Sequence, residues 1–283
     1  MANKQRKSTL AVRRILLAAY PQNWLAAAAV FSAGYWLSGI HLSLFWFLGI
    51  IYFLSPYNLL LFAVNNNIPF ARSPIKPDYF WRFVVATNVP FWIYFWFNQS
   101  LEANLVSVIV FGVILLLGTW KRHAQGLPGL DVVLAASMST LPFLFGVWHA
   151  HVAGAWWVPI AFAIYLVALA IWVFYDLAMI APDIYGHIKT FATKLGAEVS
   201  LVVCLSSYLV ASVLPAFYYG WYGAPVSFVL LLFVVYVAQV LPFRANREHP
   251  IFAQTQWHMT KLGYSAGLAL ALYCVLLYLI VQR

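Results

Sequence analysis

Asp176-Leu177-Ala178-Met179-Ile180-Ala181-Pro182-Asp183-Ile184-Tyr185-Gly186-His187-Ile188-Lys189-Thr190 closes one long apolar run and opens the next. Residues 156–180 carry Asp176 as their only charge, and residues 197–217 carry only Glu198. About 20 mostly apolar residues suffice to cross a bilayer as a helix. The polar stretch therefore reads as a connection between two membrane-crossing helices. Pro182 ends or kinks the first of them.

The rest of the chain repeats this plan. Of its 283 residues 64% are hydrophobic and 8% charged, whereas a soluble domain carries about 25% charged residues. So little charge cannot cover a water-facing surface, and lipid is the expected solvent. Nine apolar runs of spanning length lie at residues 20–39, 41–64, 80–97, 103–120, 132–151, 156–180, 197–217, 224–242 and 262–281. The expected fold is an all-α integral membrane protein, one transmembrane domain over residues 1–283 with a short basic tail at 1–15. That tail lacks the small-residue cleavage pattern of a secretory signal.

Connections alternate in character. Those at 65–79, 121–131, 181–196 and 243–261 are polar and carry Arg72, Lys76, Lys121, Arg122, Lys189, Lys194, Arg244, Arg247 and Lys261. The intervening short connections carry no Lys or Arg. Basic residues in short loops stay cytoplasmic, so the N-terminus and the long loops are expected inside and the C-terminus outside the cytoplasmic membrane. Trp148, Trp156, Trp157, Tyr218, Tyr219, Trp221 and Tyr222 cluster at the outer ends, where amphipathic rings sit at headgroup level. The net charge of +9 suits anionic headgroups, and no basic run beyond the tail is dense enough for nucleic acid. Cys204 and Cys274 lie inside apolar runs and read as free thiols acting as small hydrophobes.

Ionisable groups at membrane depth are costly and mark functional sites. Of the seven acids, Asp176 lies well inside a span, and Asp183 follows seven residues later. Asp183 either caps the loop, paired with Lys189 or Arg122, or lines a polar cavity open to the cytoplasm, with His187 four residues beyond it. Asn65, Asn66 and Asn67 close the second run, with Asn58 two turns earlier. These amides either finish a helix or face the same cavity. His149 and His151 flank an outer loop, with no further ligands close in sequence.

Three segments resemble the UbiA superfamily of membrane prenyltransferases, and within it the lycopene elongases of the carotenoid branch. They are Leu54 to Ile68, Leu127-Pro128-Gly129-Leu130-Asp131 with the stretch Ser137 to Gly146, and Asp176 to Glu198 with its Pro182-Asp183-Ile184 and Gly186-His187-Ile188-Lys189-Thr190 elements. The resemblance implies nine transmembrane helices, an isoprenoid or carotenoid ligand, and a diphosphate held by Mg²⁺ between the loops after spans two and six. Active members carry N-D-x-x-D-x-x-x-D in the first loop and two Asp four apart in the second. This chain places Asn67, Phe70 and Pro74 at the first three acid positions, and Asp183 with His187 in the second. Arg72, Lys76, Lys121, Arg122 and Lys189 supply cations on the same side and can hydrogen-bond a diphosphate. Losing a divalent clamp costs several kcal/mol of leaving-group stabilisation, on the order of a thousandfold in rate.

The resemblance thus implies two alternatives. In one, the protein keeps the fold, binds an isoprenoid, carotenoid or quinone-like lipid with no cofactor, and serves as a subunit or assembly factor of a membrane complex. In the other, it is an active, divergent prenyltransferase or hydratase, with Asp176 and Asp183 as acid–base groups and Mg²⁺ if diphosphate chemistry survives. The ligand candidates are Asn58, Asn65, Asn66, Asn67, Arg72, Lys76, Lys121, Arg122, His187 and Lys189. A small transporter is the generic alternative for such a chain.

Overall fold

The computed structural model describes residues 22–38, 42–65, 77–101, 103–105, 107–109, 111–112, 129–151, 154–178, 180, 189–222, 224–225, 227–228 and 231–232. Among them are seven α-helices and no strand. They are α1 (Gln22–Tyr35), α2 (Leu44–Leu54), α3 (Pro56–Asn65), α4 (Pro77–Asn98), α5 (Leu130–His149), α6 (Val158–Ala178) and α7 (Phe191–Tyr219). Two of them, α5 and α7, are each long and apolar enough to cross a membrane.

Large apolar side chains point outward: Phe97 and Phe217 are each 79% exposed, and Ile93, Val202, Leu209 and Val213 are exposed as well. Polar side chains lie inside: Asn58, Asn88, Asn104, Ser200, Ser207 and Ser212 are buried. In water such an outer surface would be a far larger apolar patch than a monomer carries. In lipid it is the ordinary arrangement. Several inner hydroxyls bond within their own helices, Ser139 on Ala135 O, Thr140 on Ala136 O and Ser200 on Gly196 O.

The helices pack around a central pair, α1 and α5. One apolar cluster joins α1 and α5 to α6 and α7 through Val30, Phe143, Val147, Ile164, Val167, Cys204 and Tyr208. The other joins α1 and α5 to α2, α3 and α4 through Phe31, Phe45, Phe53, Tyr57, Phe95 and Phe145. Both need α1 and α5 close together, and two glycines permit it. A Cβ on Gly146 would lie 2.5 Å from both the Phe31 carbonyl oxygen and the Tyr35 backbone nitrogen, and a Cβ on Gly34 would collide with the Phe143 carbonyl. Lipid supplies no hydrophobic drive between helices, so backbone approach through small residues is the main source of their association.

Two expected spans differ in detail. The run 41–64 is not one helix: it breaks at Ser55, whose φ/ψ of −136/−63 is not helical, and α3 restarts at Pro56. Proline has no N–H to continue the ladder and restricts the residue before it. The run expected at 197–217 begins earlier. A first turn forms at Phe191, and the chain then bends at Gly196, whose φ of 85 belongs to the left-handed region. Only glycine adopts this without strain. Cys204 is a buried free thiol; Cys274 lies outside the described residues.

Replacing Gly146 by Val should force α1 and α5 apart and lower the detergent melting temperature, an overpacking cost of about 2 kcal/mol or more. The same change at Gly112, where an added Cβ meets nothing within 4 Å, should leave it nearly unmoved. Fluorescence-detected thermal unfolding of the two purified variants checks this.

Candidate functional site

The described helix ends that flank the polar connections lie at one end of the bundle, and packing shows which. At the opposite end the rings of Tyr35 and Phe45 stack on His149, bringing together the end of α1, the start of α2 and the end of α5. Moving away from that end, Phe53 meets Phe145 and Tyr57 meets Met138. The α2–α3 run is therefore antiparallel to α5, and Asn65 finishes α3 toward the end where α5 begins. There the carboxylate Oδ2 of Asp131 accepts the backbone N–H of Phe191 at 3.0 Å. That bond places the start of α7 beside the start of α5. Asp176, half-buried on the last turn of α6, precedes the same connection.

Breaks in membrane helices leave backbone groups that water cannot satisfy, and the side chains around α3 take them up. Pro142 lies inside α5 and lacks the N–H that would reach the Met138 carbonyl; the buried hydroxyl of Tyr57 donates to that carbonyl instead. The break at Ser55 frees the Phe53 carbonyl, and Asn58 Nδ2 donates to it at 2.6 Å. Asn88, fully buried on α4, donates Nδ2 to Pro56 O at 3.0 Å and to Val84 O at 2.9 Å. Asn58, a ligand candidate from the sequence, thus spends its amide donor on the fold.

The turn entering α7 is built to hold its shape. Thr190 has extended backbone and accepts from Thr193 N, while Thr193 Oγ1 accepts from Thr190 N at 2.8 Å, a reciprocal capping box. Phe191 and Ala192 are buried, and Lys189, just before the box, is exposed. Gly129, with φ 94, starts α5 beneath the Phe191 ring.

Of the sequence-derived candidates, Asn58, Lys189 and Asp176 are placed by the structure, and Asn65 is placed as the last residue of α3. Asn66, Asn67, Arg72, Lys76, Lys121, Arg122, Asp183 and His187 lie outside the described residues. The loops that would hold a divalent clamp lie outside the described residues except at their flanks. Mg²⁺ in phosphate chemistry takes carboxylates together with substrate oxygens; in the sequence the loop 65–79 offers three amides and Asp78, and the loop 181–196 offers Asp183. Among the described residues no three of His, Cys, Asp or Glu come together. Sequence reading passed over the two residues that organise this end, Tyr57 and Asp131. Pro142 was a readable sign of an orphaned carbonyl; nothing local shows which residue answers it.

No family model matches the chain. It is 24% identical over 222 residues, 72% of its length and 76% of the relative's, to the lycopene elongase/hydratase of Corynebacterium glutamicum. It is 25% identical over 241 residues to LbtBC, a C(50) β-cyclic carotenoid biosynthesis protein of Dietzia sp. strain CQ4, covering 77% of this chain and 54% of that one. Its fold matches a UbiA homologue from Archaeoglobus fulgidus bound to GPP and Mg²⁺, with a TM-score of 0.68 at 14% identity over 95% of this chain and 99% of that one. The same homologue bound to DMAPP and Mg²⁺ gives 0.63 over 91% and 98%.

Tyr57→Phe should strand the Met138 carbonyl in the core and destabilise the protein by about 1–3 kcal/mol. Tyr218→Phe, at an exposed ring, should cost almost nothing, and paired unfolding curves in detergent test the contrast. The fold is shared with the UbiA homologue from Archaeoglobus fulgidus, and the sequence is similar to that of a lycopene elongase/hydratase and of a carotenoid biosynthesis protein.

Proposed function

We propose that the protein is a single UbiA-type domain of nine transmembrane helices that binds an isoprenoid, carotenoid or quinone-like lipid and has set aside Mg²⁺-dependent prenyl transfer. Its N-terminus and long polar loops face the cytoplasm, and it acts as a subunit or assembly factor of a membrane complex. The carrying observation is the pairing of a fold shared with a homologue bound to GPP and Mg²⁺ with loops after spans two and six that between them hold amides, cations and one Asp each, Asp78 and Asp183. Asn65, Asn66, Asn67, Arg72, Lys76, Lys121, Arg122, His187 and Lys189 are the groups that face the ligand's polar end in this reading. Cations without a metal suit holding an anionic or polar headgroup better than expelling a diphosphate.

Protein purified in native lipid particles should carry an isoprenoid detectable by mass spectrometry. Supplied with geranyl diphosphate, Mg²⁺ and lycopene, it should form no elongated product; product above a heat-killed control overturns the reading. For the orientation, a fluorescent protein that matures only in the cytoplasm should glow when fused at Met1 and stay dark when fused after Arg283.

A second reading is favoured by the hydratase activity in the name of the Corynebacterium glutamicum relative and by the half-buried carboxyl of Asp176. Hydration of an alkene needs an acid that gives a proton to carbon and a base that takes one from the adding water, and no metal. Asp176 and Asp183 fill those roles in this reading. Asp176→Asn and Asp183→Asn should then each cut hydroxylated carotenoid formation by about 100-fold or more; unchanged product from both removes it.

A further inference from the structure

We infer that Asp131 is a positioning residue, which holds the turn at Thr190–Phe191 so that the Lys189 ammonium is presented to an anionic isoprenoid diphosphate. The inference rests on the lipid-binding reading of the preceding subsection, narrows its ligand to an isoprenoid with an anionic diphosphate end, and assigns a role to an acid outside its two loops.

Asp131 reaches across 60 residues of chain to the Phe191 N–H. An ionised carboxylate makes this bond about twice as strong as a neutral acceptor would. The Phe191 ring lies over Gly129, where an added Cβ would stand 3.4 Å from it. The capping box between Thr190 and Thr193 fixes the next residues, and Lys194 N donates to Thr190 O at 3.2 Å. On its other side the turn is joined to the long part of α7 through Gly196, in left-handed conformation with nothing within 4 Å of an added Cβ. The turn is therefore held against α5 by the Asp131 carboxylate and by its own Phe191 ring, which rests over Gly129. Lys189 is exposed and adjoins Thr190, the first residue of the box. A four-carbon ammonium contributes to anion binding in proportion to how well its stem is placed, because holding it costs rotamer entropy. A merely structural cap would stabilise α7 and leave ligand affinity alone.

The test is equilibrium binding of labelled geranyl diphosphate, without added metal, to the full chain in lipid nanodiscs. Asp131→Leu and Lys189→Ala should each weaken binding about tenfold, and the double variant should be no weaker than either single one. Asp131→Asn, which keeps an oxygen acceptor, should stay within about threefold of wild type. Unchanged affinity in Asp131→Leu, or a double variant weakened by the product of the two single effects, overturns the inference. Should Asp131→Leu fail to fold, Asp131→Asn carries the test: its small loss should vanish in the Lys189→Ala background, and its persistence there overturns the inference. A wild-type protein that binds no geranyl diphosphate removes the narrowed ligand and this inference with it. A binding wild type with an unaffected Asp131→Leu removes this inference alone.

Discussion

The backbone approach of α1 and α5 at Gly34 and Gly146 is the contact on which both halves of the bundle depend. Each apolar cluster draws on these two helices, one with α6 and α7, the other with α2, α3 and α4. Lipid tails are as apolar as the side chains they would replace, so burial gives these helices little reason to associate. What remains is close packing, and that is available only where a side chain is missing. Phe31 shows the consequence. It is fully buried, and its ring lies against Phe53 at 5.0 Å and Phe145 at 6.2 Å, reaching both because α1 stands so near α5. Gly49 on α2 makes room for the same ring.

A second constraint is the bilayer's refusal of unpaired backbone groups. The helices near the polar end are not ideal: α2 and α3 are split at Ser55, α4 and α5 contain Pro90 and Pro142, and α7 bends at Gly196. Each irregularity aims the chain and leaves a carbonyl or an amide to be answered. Tyr57, Asn58 and Asn88 supply the answers around α3. These three side chains are therefore committed to holding broken helices together. Chemistry, whatever its kind, falls to the residues beyond them.

The helices at Pro77–Asn98, Leu130–His149 and Val158–Ala178 could be read from the chain, because an apolar run announces itself by length; the expected runs 103–120, 224–242 and 262–281 lie wholly or largely outside the described residues. The long part of α7 after Gly196 starts where the sequence led one to expect, whereas Asp176, read as lying well inside a span, stands on the last turn of α6. The break at Ser55 was hidden, since one apolar run and two short helices have the same composition, and Pro56 alone does not say which will form. Long-range partners were hidden for a different reason. That Asp131 would spend its charge on the Phe191 amide, and Asn58 its donor on Phe53 O, depends on three-dimensional proximity that no spacing encodes. The loss of loop acids was legible at once, but only against a family pattern.

The bond from Tyr57 to the Met138 carbonyl bears on how this sequence can drift over time. Pro142 creates the vacant acceptor and Tyr57 fills it, so the two positions are heritably tied although 85 residues separate them. A lineage that exchanges Pro142 for an ordinary residue regains the missing amide hydrogen and releases position 57 from its duty. A lineage that first loses the hydroxyl crosses a valley before it can recover. Among relatives of this chain, proline at 142 and a hydroxyl at 57 should be gained and lost together.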